Sequence, residues 1–288
     1  MTVVLQSNDE HCSRQDYRNI LRLLRPILSF CFATSKEKLP VTAYNWVNLL
    51  SVLYLCPVED FKAFCDGQPT LTEFGDFLSD FFSFVQLAIR DQLYFKDEWM
   101  ILHLVQSKVI LKVVRCCADC LIDKFLTSNT YRHELFQECL ELCVVFVTQK
   151  CLQLDKASLV RQRRTKHKFG DLRLDMGFVV IRLWGSLTNV HKEQFIISSI
   201  GDLIKMTLAK SPDLRRITLP LIWNTMQVDM ATSGSIKRVE AGIIAELDSL
   251  FSSGFGDDEY RETFGNILTQ HCKNESSSDI GKLSLIHI

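Results

Sequence analysis

Turn-forming residues are scarce in this chain, with 12 glycines and 6 prolines among 288 residues. That scarcity argues against many short strands joined by tight turns and favours long helices. An excess of charge of one sign is also missing: 33 basic side chains stand against 34 acidic ones. The balance removes any global electrostatic case for nucleic acid or a charged membrane. Long apolar runs are absent. The longest, Leu142–Val147, is far below the roughly 20 residues needed to cross a bilayer. The first ten residues hold Asn8, Asp9 and Glu10 and no basic start, so no signal peptide is expected. These features predict a soluble, cytosolic protein.

Catalytic signatures are lacking as well. There is no G-x-S-x-G and no P-loop, and His133-Glu134 is followed by Leu135-Phe136-Gln137 rather than completing H-E-x-x-H. Gly254-Phe255-Gly256 runs into Asp257, Asp258 and Glu259, which would repel a phosphate. The seven histidines are scattered. Catalysis within the chain is not expected.

Eleven cysteines are present, an odd number at irregular spacings, which argues against a secreted disulfide framework. Cys31, Cys56, Cys139 and Cys143 lie among apolar neighbours at helical spacing, as buried thiols acting as small hydrophobes do. The run Cys116-Cys117-Ala118-Asp119-Cys120 contains a C-x-x-C pair. Zinc needs about four ligands, and a second pair at finger spacing is missing. Cys139 and Cys143, one helical turn apart, would have to complete such a site from another helix. Buried thiols are the preferred reading, and no cofactor is expected.

Helical periodicity recurs throughout. Apolar stretches at Asp16–Ala33 and Val41–Cys56 are separated by Pro40, with Pro26 disturbing the first. Thr70 and Glu73 form a capping box for a helix to about Leu93. Phe74, Phe77, Phe81, Phe82 and Phe84 repeat at helical intervals and read as core. A helical region over Asp97–Leu126, broken at most once, precedes the face Leu135, Cys139, Leu142, Cys143, Phe146. Further helices are expected over Phe169–Leu187 and His191–Ala209. Ser211-Pro212 then starts another, which Pro220 should kink or end. Val239, Ile243, Leu247 and Leu250 share one apolar face, closed by Gly254 and Gly256. Asp257–Glu259 put acids at the positive N-terminus of a last helix to about Cys272. The predicted fold is all-α, with about ten helices stacked as hairpins in an armadillo- or HEAT-like α-solenoid. An irregular helical bundle is the second choice, because no strict repeat is visible.

Lys150–Lys168 interrupts this pattern and reads as an exposed basic loop, residues 150–168. Arg161, Arg163, Arg164, Lys166 and Lys168, with His167 among them, make the strongest local charge run. Two readings stay open: a solvated connection, or a site for acidic lipid headgroups, an acidic partner or an import receptor. No aromatic residues interleave the charges as single-stranded nucleic acid would require.

Asp213–Cys272 (DLRRITLPLIWNTMQVDMATSGSIKRVEAGIIAELDSLFSSGFGDDEYRETFGNILTQHC) resembles the helical middle of the dedicator-of-cytokinesis (DOCK) guanine-nucleotide exchange factors. Tyr94–Leu126 (YFKDEWMILHLVQSKVILKVVRCCADCLIDKFL) is similar to the family's tryptophan-bearing helical pair, and Phe169–Trp184 (FGDLRLDMGFVVIRLW) to a later helix opened by a Gly-Asp turn. Phe264–Cys272 (FGNILTQHC) resembles the helix after a glycine-acid turn. The order agrees across about residues 74–275. The chain departs from the pattern at Phe95, where proline is expected, and at Glu98, inserted before Trp99.

The resemblance implies a scaffold that lies between an upstream lipid-binding C2-like domain and a downstream exchange domain, DOCK homology region 2. The latter expels magnesium and GDP from Rac or Cdc42. Neither domain is recognisable in this chain, so no catalytic residue transfers. The likeness points to the Rac-directed subgroup that works with ELMO adaptors. It implies a cytoplasmic parent, possible as a dimer, recruited peripherally to the plasma membrane. A free-standing helical-repeat adaptor for protein partners is the alternative.

The expected organisation is therefore N-terminal helices over 1–69, the DOCK-like region over 70–275, and a disordered tail over 276–288. Leu283–Ile288 (LSLIHI) is what CTG TCT CTT ATA CAC ATC, the end of a transposon sequencing adapter, encodes. Residues 283–288 are therefore read as an artefact of a truncated gene and set aside from the fold.

Overall fold

The computed structural model describes residues 19–35, 40–90, 100–126, 130–252 and 257–274. Twelve α-helices and two short 3₁₀ turns, with no strand, make up its regular structure among the described residues. The all-α solenoid class expected from the periodicity is what these helices form. Contacts divide the chain into two compact units, residues 1–154 with 159–172, and residues 155–158 with 173–288.

The first unit contains α1 (Leu24–Ser35), α2 (Pro40–Leu55), α3 (Val58–Asp66), α4 (Leu71–Arg90), α5 (Met100–Phe125), α6 (His133–Thr148) and α7 (Leu159–Phe169). Pro40 is the first residue of α2, where its missing N–H costs nothing and its fixed φ suits the helix. Pro26 likewise sits in the first turn of α1. Thr70 caps α4, with the Glu73 amide donating to Thr70 Oγ1 at 3.2 Å, while the Glu73 carboxylate lies 3.9 Å from Arg25. Its Phe74, Phe77, Phe81, Phe82 and Phe84 are all buried. They chain together at centroid distances of 6.4 Å (Phe74–Phe77) and 6.3 Å (Phe77–Phe81). The helical region expected over Asp97–Leu126 runs as one unbroken helix over Met100–Phe125.

Specific contacts give the stacking order. Phe74 at the start of α4 meets Phe125 at the end of α5, at 5.9 Å, so these consecutive helices run antiparallel. Trp46 Nε1 donates to Gln106 Oε1 at 3.1 Å, and Lys112 Nζ to the Tyr54 carbonyl at 3.1 Å. Residue numbers thus rise together along α2 and α5, which are parallel. Arg132 meets Asp76 at 3.3 Å and Ser79 donates to Glu138 at 3.0 Å, so α4 and the following α6 are parallel too. Antiparallel neighbours in sequence and parallel neighbours one hairpin away are the geometry of a two-layer helical stack.

The second unit holds α8 (Leu172–Ser186), α9 (Asn189–Thr207), α10 (Pro212–Ser233), α11 (Lys237–Ser252) and α12 (Asp258–Asn274). It repeats the same geometry. Gly177 faces Leu214 and Ile217 while Trp184 donates to Asn224, which sets α8 parallel to α10. Glu193 meets Arg238, and Lys205 meets Glu246 at 3.3 Å, which sets α9 parallel to α11. Close approach is seen at Gly177: a Cβ there would lie 2.6 Å from Leu214 Cδ1, so a larger side chain would require Leu214 and Ile217 to repack.

Pro212 is in the first turn of α10, as expected, but Pro220 does not end the helix, which continues to Ser233. A mid-helix proline costs about 3 kcal/mol. Burial of Leu219, Leu221, Ile222 and Trp223 around it offsets that, at roughly 1.5–3 kcal/mol per large apolar side chain. Gly234, at φ 70°, closes α10 and its amide donates to the Met230 carbonyl at 3.0 Å, a left-handed C-cap that glycine adopts without steric penalty. Among the expected face of α11, Val239 and Ile243 are buried, while Leu247 and Leu250 are only half-buried. Next to Leu247, Glu246 of α11 packs on Gly201 and pairs with Lys205 of α9 at 3.3 Å. Gly254, Gly256, Phe95, Glu98, Trp99 and the tail 276–288, including 283–288, lie outside the described residues.

Candidate interaction surface

The cysteine cluster resolves into core positions. Cys116, Cys117 and Cys120 of α5 are buried, as are Cys31, Cys56, Cys65, Cys139 and Cys143. Cys120 shares a thiol hydrogen bond with Cys65 of α3, and Cys139 with Cys143 along α6. Burial pushes the Cys116 thiol up to about 11 and the Cys117 thiol well above its usual range. The hydrogen bond to Cys120, reinforced by burial, raises Cys65 as well. The same hydrogen bond lowers its partner Cys120; the raised thiols, held protonated, are poor nucleophiles and poor metal ligands. No group of three His, Cys, Asp or Glu that could hold a metal ion occurs among the described residues.

Two buried charges do structural work that the sequence reading missed. Arg215 of α10 is fully buried and forks onto Asp257, with Nη1–Oδ1 at 2.9 Å and Nη2–Oδ2 at 2.8 Å. Its Nε donates to the Ala209 carbonyl at 3.1 Å, and Nη2 also donates to the Leu208 carbonyl at 3.2 Å. The guanidinium lies 5.4 Å from the Tyr260 ring. One side chain thus satisfies carbonyls left open at the end of α9 and fixes the start of α12. Asp257 also accepts from the Tyr260 amide at 2.7 Å, which makes it the N-cap of α12. The Arg215 hydrogen bonds hold its carboxyl below the ordinary 3.8. Asp229, buried near the end of α10, accepts from Arg238 Nε at 2.7 Å, Ser233 Oγ at 3.0 Å and the Val239 amide at 3.3 Å. It ties α10 to the first turn of α11. In sequence both charges look like ordinary surface residues of an amphipathic helix.

The basic segment is the main correction to the sequence reading. Lys150–Leu152 and Leu154–Lys156 are 3₁₀ turns, and Leu159–Phe169 is the regular helix α7 rather than a loop. Its high charge suggested solvated coil, yet Arg, Lys and Gln are good helix formers and no Gly or Pro occurs within it. Lys166, His167 and Lys168 occupy the last turn, where the helix dipole favours cations. Gly170, at φ 81°, then caps the helix, its amide donating to the Lys166 carbonyl at 2.9 Å. The Gly170-Asp171 turn was the available signal for a helix ending there.

No side chain of α7 is buried. Gln162, Thr165 and Phe169, one face at i, i+3, i+7, are half-covered. Arg161, Arg163, Arg164, Lys166 and Lys168 are all exposed, so the structure gathers the five sequence-predicted residues on one short helix. Lys166 pairs with Asp171 at 3.0 Å, and Lys168 sits 5.4 Å from the Phe169 ring. Arg163 and Arg164 make no ion pair among the described residues. A second exposed surface is on α2, which has no charged residue and presents Tyr44, Val47 and Tyr54 outward. No helix among the described residues is long and apolar enough to cross a membrane.

Paired helices stacked in layers, broad exposed faces and buried charges spent on packing together define a helical-repeat scaffold. Comparison with known proteins gives the family. Residues 1–267 match the family model for the dedicator of cytokinesis (DOCK) TPR region, and the chain belongs to that family. It is 34% identical over 238 residues to human dedicator of cytokinesis protein 4, covering 83% of this chain and 12% of that protein. The mouse dedicator of cytokinesis protein 3 is 31% identical over 235 residues, covering 80% of this chain and 11% of that protein. The chain thus spans about an eighth of the length of the curated relatives it matches. The family match also takes in the first 69 residues, where the sequence reading found only helical character.

Proposed function

We propose that this chain is the helical scaffold of a DOCK-family guanine-nucleotide exchange factor for Rho-type GTPases, Rac or Cdc42, and that it has no exchange activity of its own. The observation that carries the reading is the match of residues 1–267 to the TPR region, over a tenth or so of much longer relatives. Exchange requires a surface that opens a nucleotide site, and the charged groups most deeply placed here, Arg215 and Asp229, are consumed by contacts between helices. In the intact protein, the stacked helices hold domains on either side at a fixed separation and supply rigid surface. Small-GTPase signalling, the link to the cytoskeleton, the ELMO-type adaptor, any dimer, and recruitment of a cytoplasmic parent to the plasma membrane belong to that intact protein.

The test is release of labelled GDP from Rac and from Cdc42. The isolated chain should leave the release rate at its intrinsic value. A clear acceleration at micromolar protein would overturn the assignment of exchange to another part of the parent.

A further inference from the structure

The helix α7 is anomalous within this fold. Every other helix of the first unit for which buried residues are defined has an inward face, whereas α7 has none. It carries five Lys and Arg and no acid over eleven residues, in a chain whose charges otherwise cancel. Arg161–Arg164 and Arg163–Lys166 at i, i+3, with Arg164–Lys168 at i, i+4, are like-charge neighbours that weaken an isolated helix. A polar helix without a buried face and with internal repulsion gains from an external anion.

The arrangement of its outward face narrows the partner. At 100° per residue, the half-covered Gln162, Thr165 and Phe169 define the inner side. Arg163, His167, Val160 and Arg164 then fall together on the opposite side, with Leu159 on one flank and Lys168 on the other. Val160, 60% exposed, lies between Arg163 and Arg164 on that face, and Leu159, 69% exposed, lies at its edge; neither arginine has an ion pair among the described residues. Cations beside exposed aliphatic side chains on one helix match a surface whose anions are mobile and whose interior is apolar. A folded acidic protein would need fixed carboxylates in register with this irregular spread.

We infer that α7 is a peripheral membrane-docking helix: Arg163 and Arg164 engage anionic lipid headgroups while Val160, with Leu159 at the edge of the face, enters the headgroup–acyl boundary. This contact belongs to the helical scaffold itself and does not depend on the exchange-factor reading, because vesicle binding and GDP release are separate measurements.

The experiment is co-sedimentation of the full chain with phosphatidylcholine vesicles, alone and mixed with phosphatidylserine. The chain should pellet with the mixed vesicles only, and less so as salt rises. One basic residue at an anionic surface is worth about a fivefold factor in partitioning, so Arg163→Gln with Arg164→Gln should weaken binding about 25-fold. Arg163→Lys with Arg164→Lys should retain it, which separates loss of charge from loss of fold. Leu159→Ser with Val160→Ser should weaken binding at every salt concentration while leaving the salt dependence in place. Equal pelleting with neutral vesicles, or none with mixed ones, would overturn the proposal. So would displacement by excess inorganic phosphate, which would mark a simple anion site, or capture by polyglutamate without vesicle binding, which would mark an acidic protein partner.

Discussion

The two units reach similar two-layer stacks by different chemistry. The first is cemented by aromatic rings and thiols: Phe74, Phe77, Phe81, Phe82, Phe84, Phe125, Phe136 and Phe146 are buried together with eight cysteines. The second buries Trp184, Trp223 and Phe195, but fixes its helix order with charges, Arg215 between α9, α10 and α12 and Asp229 between α10 and α11. Apolar packing is non-directional and tolerates repacking if volume is kept. A guanidinium with four fixed acceptors does not, since its donors demand one geometry. Stability in the first unit should therefore follow buried volume, and in the second it should follow individual hydrogen-bonded groups.

The largest test of this contrast is Phe81→Ala. Removing a fully buried ring from α4 should destabilise the first unit by about 3–5 kcal/mol, read as faster amide exchange through α4, α5 and α6. A loss under about 1 kcal/mol would mean the aromatic chain is not the cement. Next is Arg215→Ala, expected to cost about 3 kcal/mol, near the low end for a broken buried pair because Asp257 is partly solvated. Arg215→Lys sharpens the comparison. It keeps the charge but loses the fork, so it should recover only a minor part of the loss, and full recovery would reduce Arg215 to a simple counter-ion.

Smaller effects follow. Leu247→Asp, at a half-buried position, should cost about 1 kcal/mol, well below Ile243→Asp, where the carboxylate would be fully enclosed. Equal denaturation midpoints for the two variants would contradict the observed face of α11. Thr70→Ala should cost about 1 kcal/mol through the lost cap of α4, visible as fraying of its first turn. Smallest is the acid dependence of the second unit. The Asp257 carboxyl titrates below its unfolded value, so its contribution is present above the unfolded pKa of about 3.9. It is lost as pH falls through the lower folded value. Asp257→Asn should flatten the melting temperature of the C-terminal helices between pH 5 and 3, at roughly those unfolded and folded carboxylate ranges. An unchanged acid slope would place the sensitivity elsewhere.

Residues whose neighbours in sequence share their environment were readable in advance. The Phe74–Phe84 face announced itself by spacing, Thr70 and Glu73 by capping chemistry, and Ser211-Pro212 by the geometry of a helix start. What was misread depended on partners far along the chain. Pro220 is tolerated because the residues around it are packed, and Leu247 is only half-buried although its spacing places it on the apolar face. The basic run was taken for a loop because its charge suggested solvent, when exposure and helicity are compatible.

By itself the sequence determined that the chain is helical, where most of its helices start and which faces are apolar, because capping and periodicity are local properties encoded within a few residues of each site. It also carried the family, since the ordered sequence of packing motifs survives in the chain itself. Only the tertiary structure decided that the chain forms two units, that Arg215 and Asp229 are interior pins, and that Arg163 and Arg164 stand on an uncovered helix. Burial, ion pairing and exposure are set by which distant helix is adjacent, and adjacency is a property of the fold.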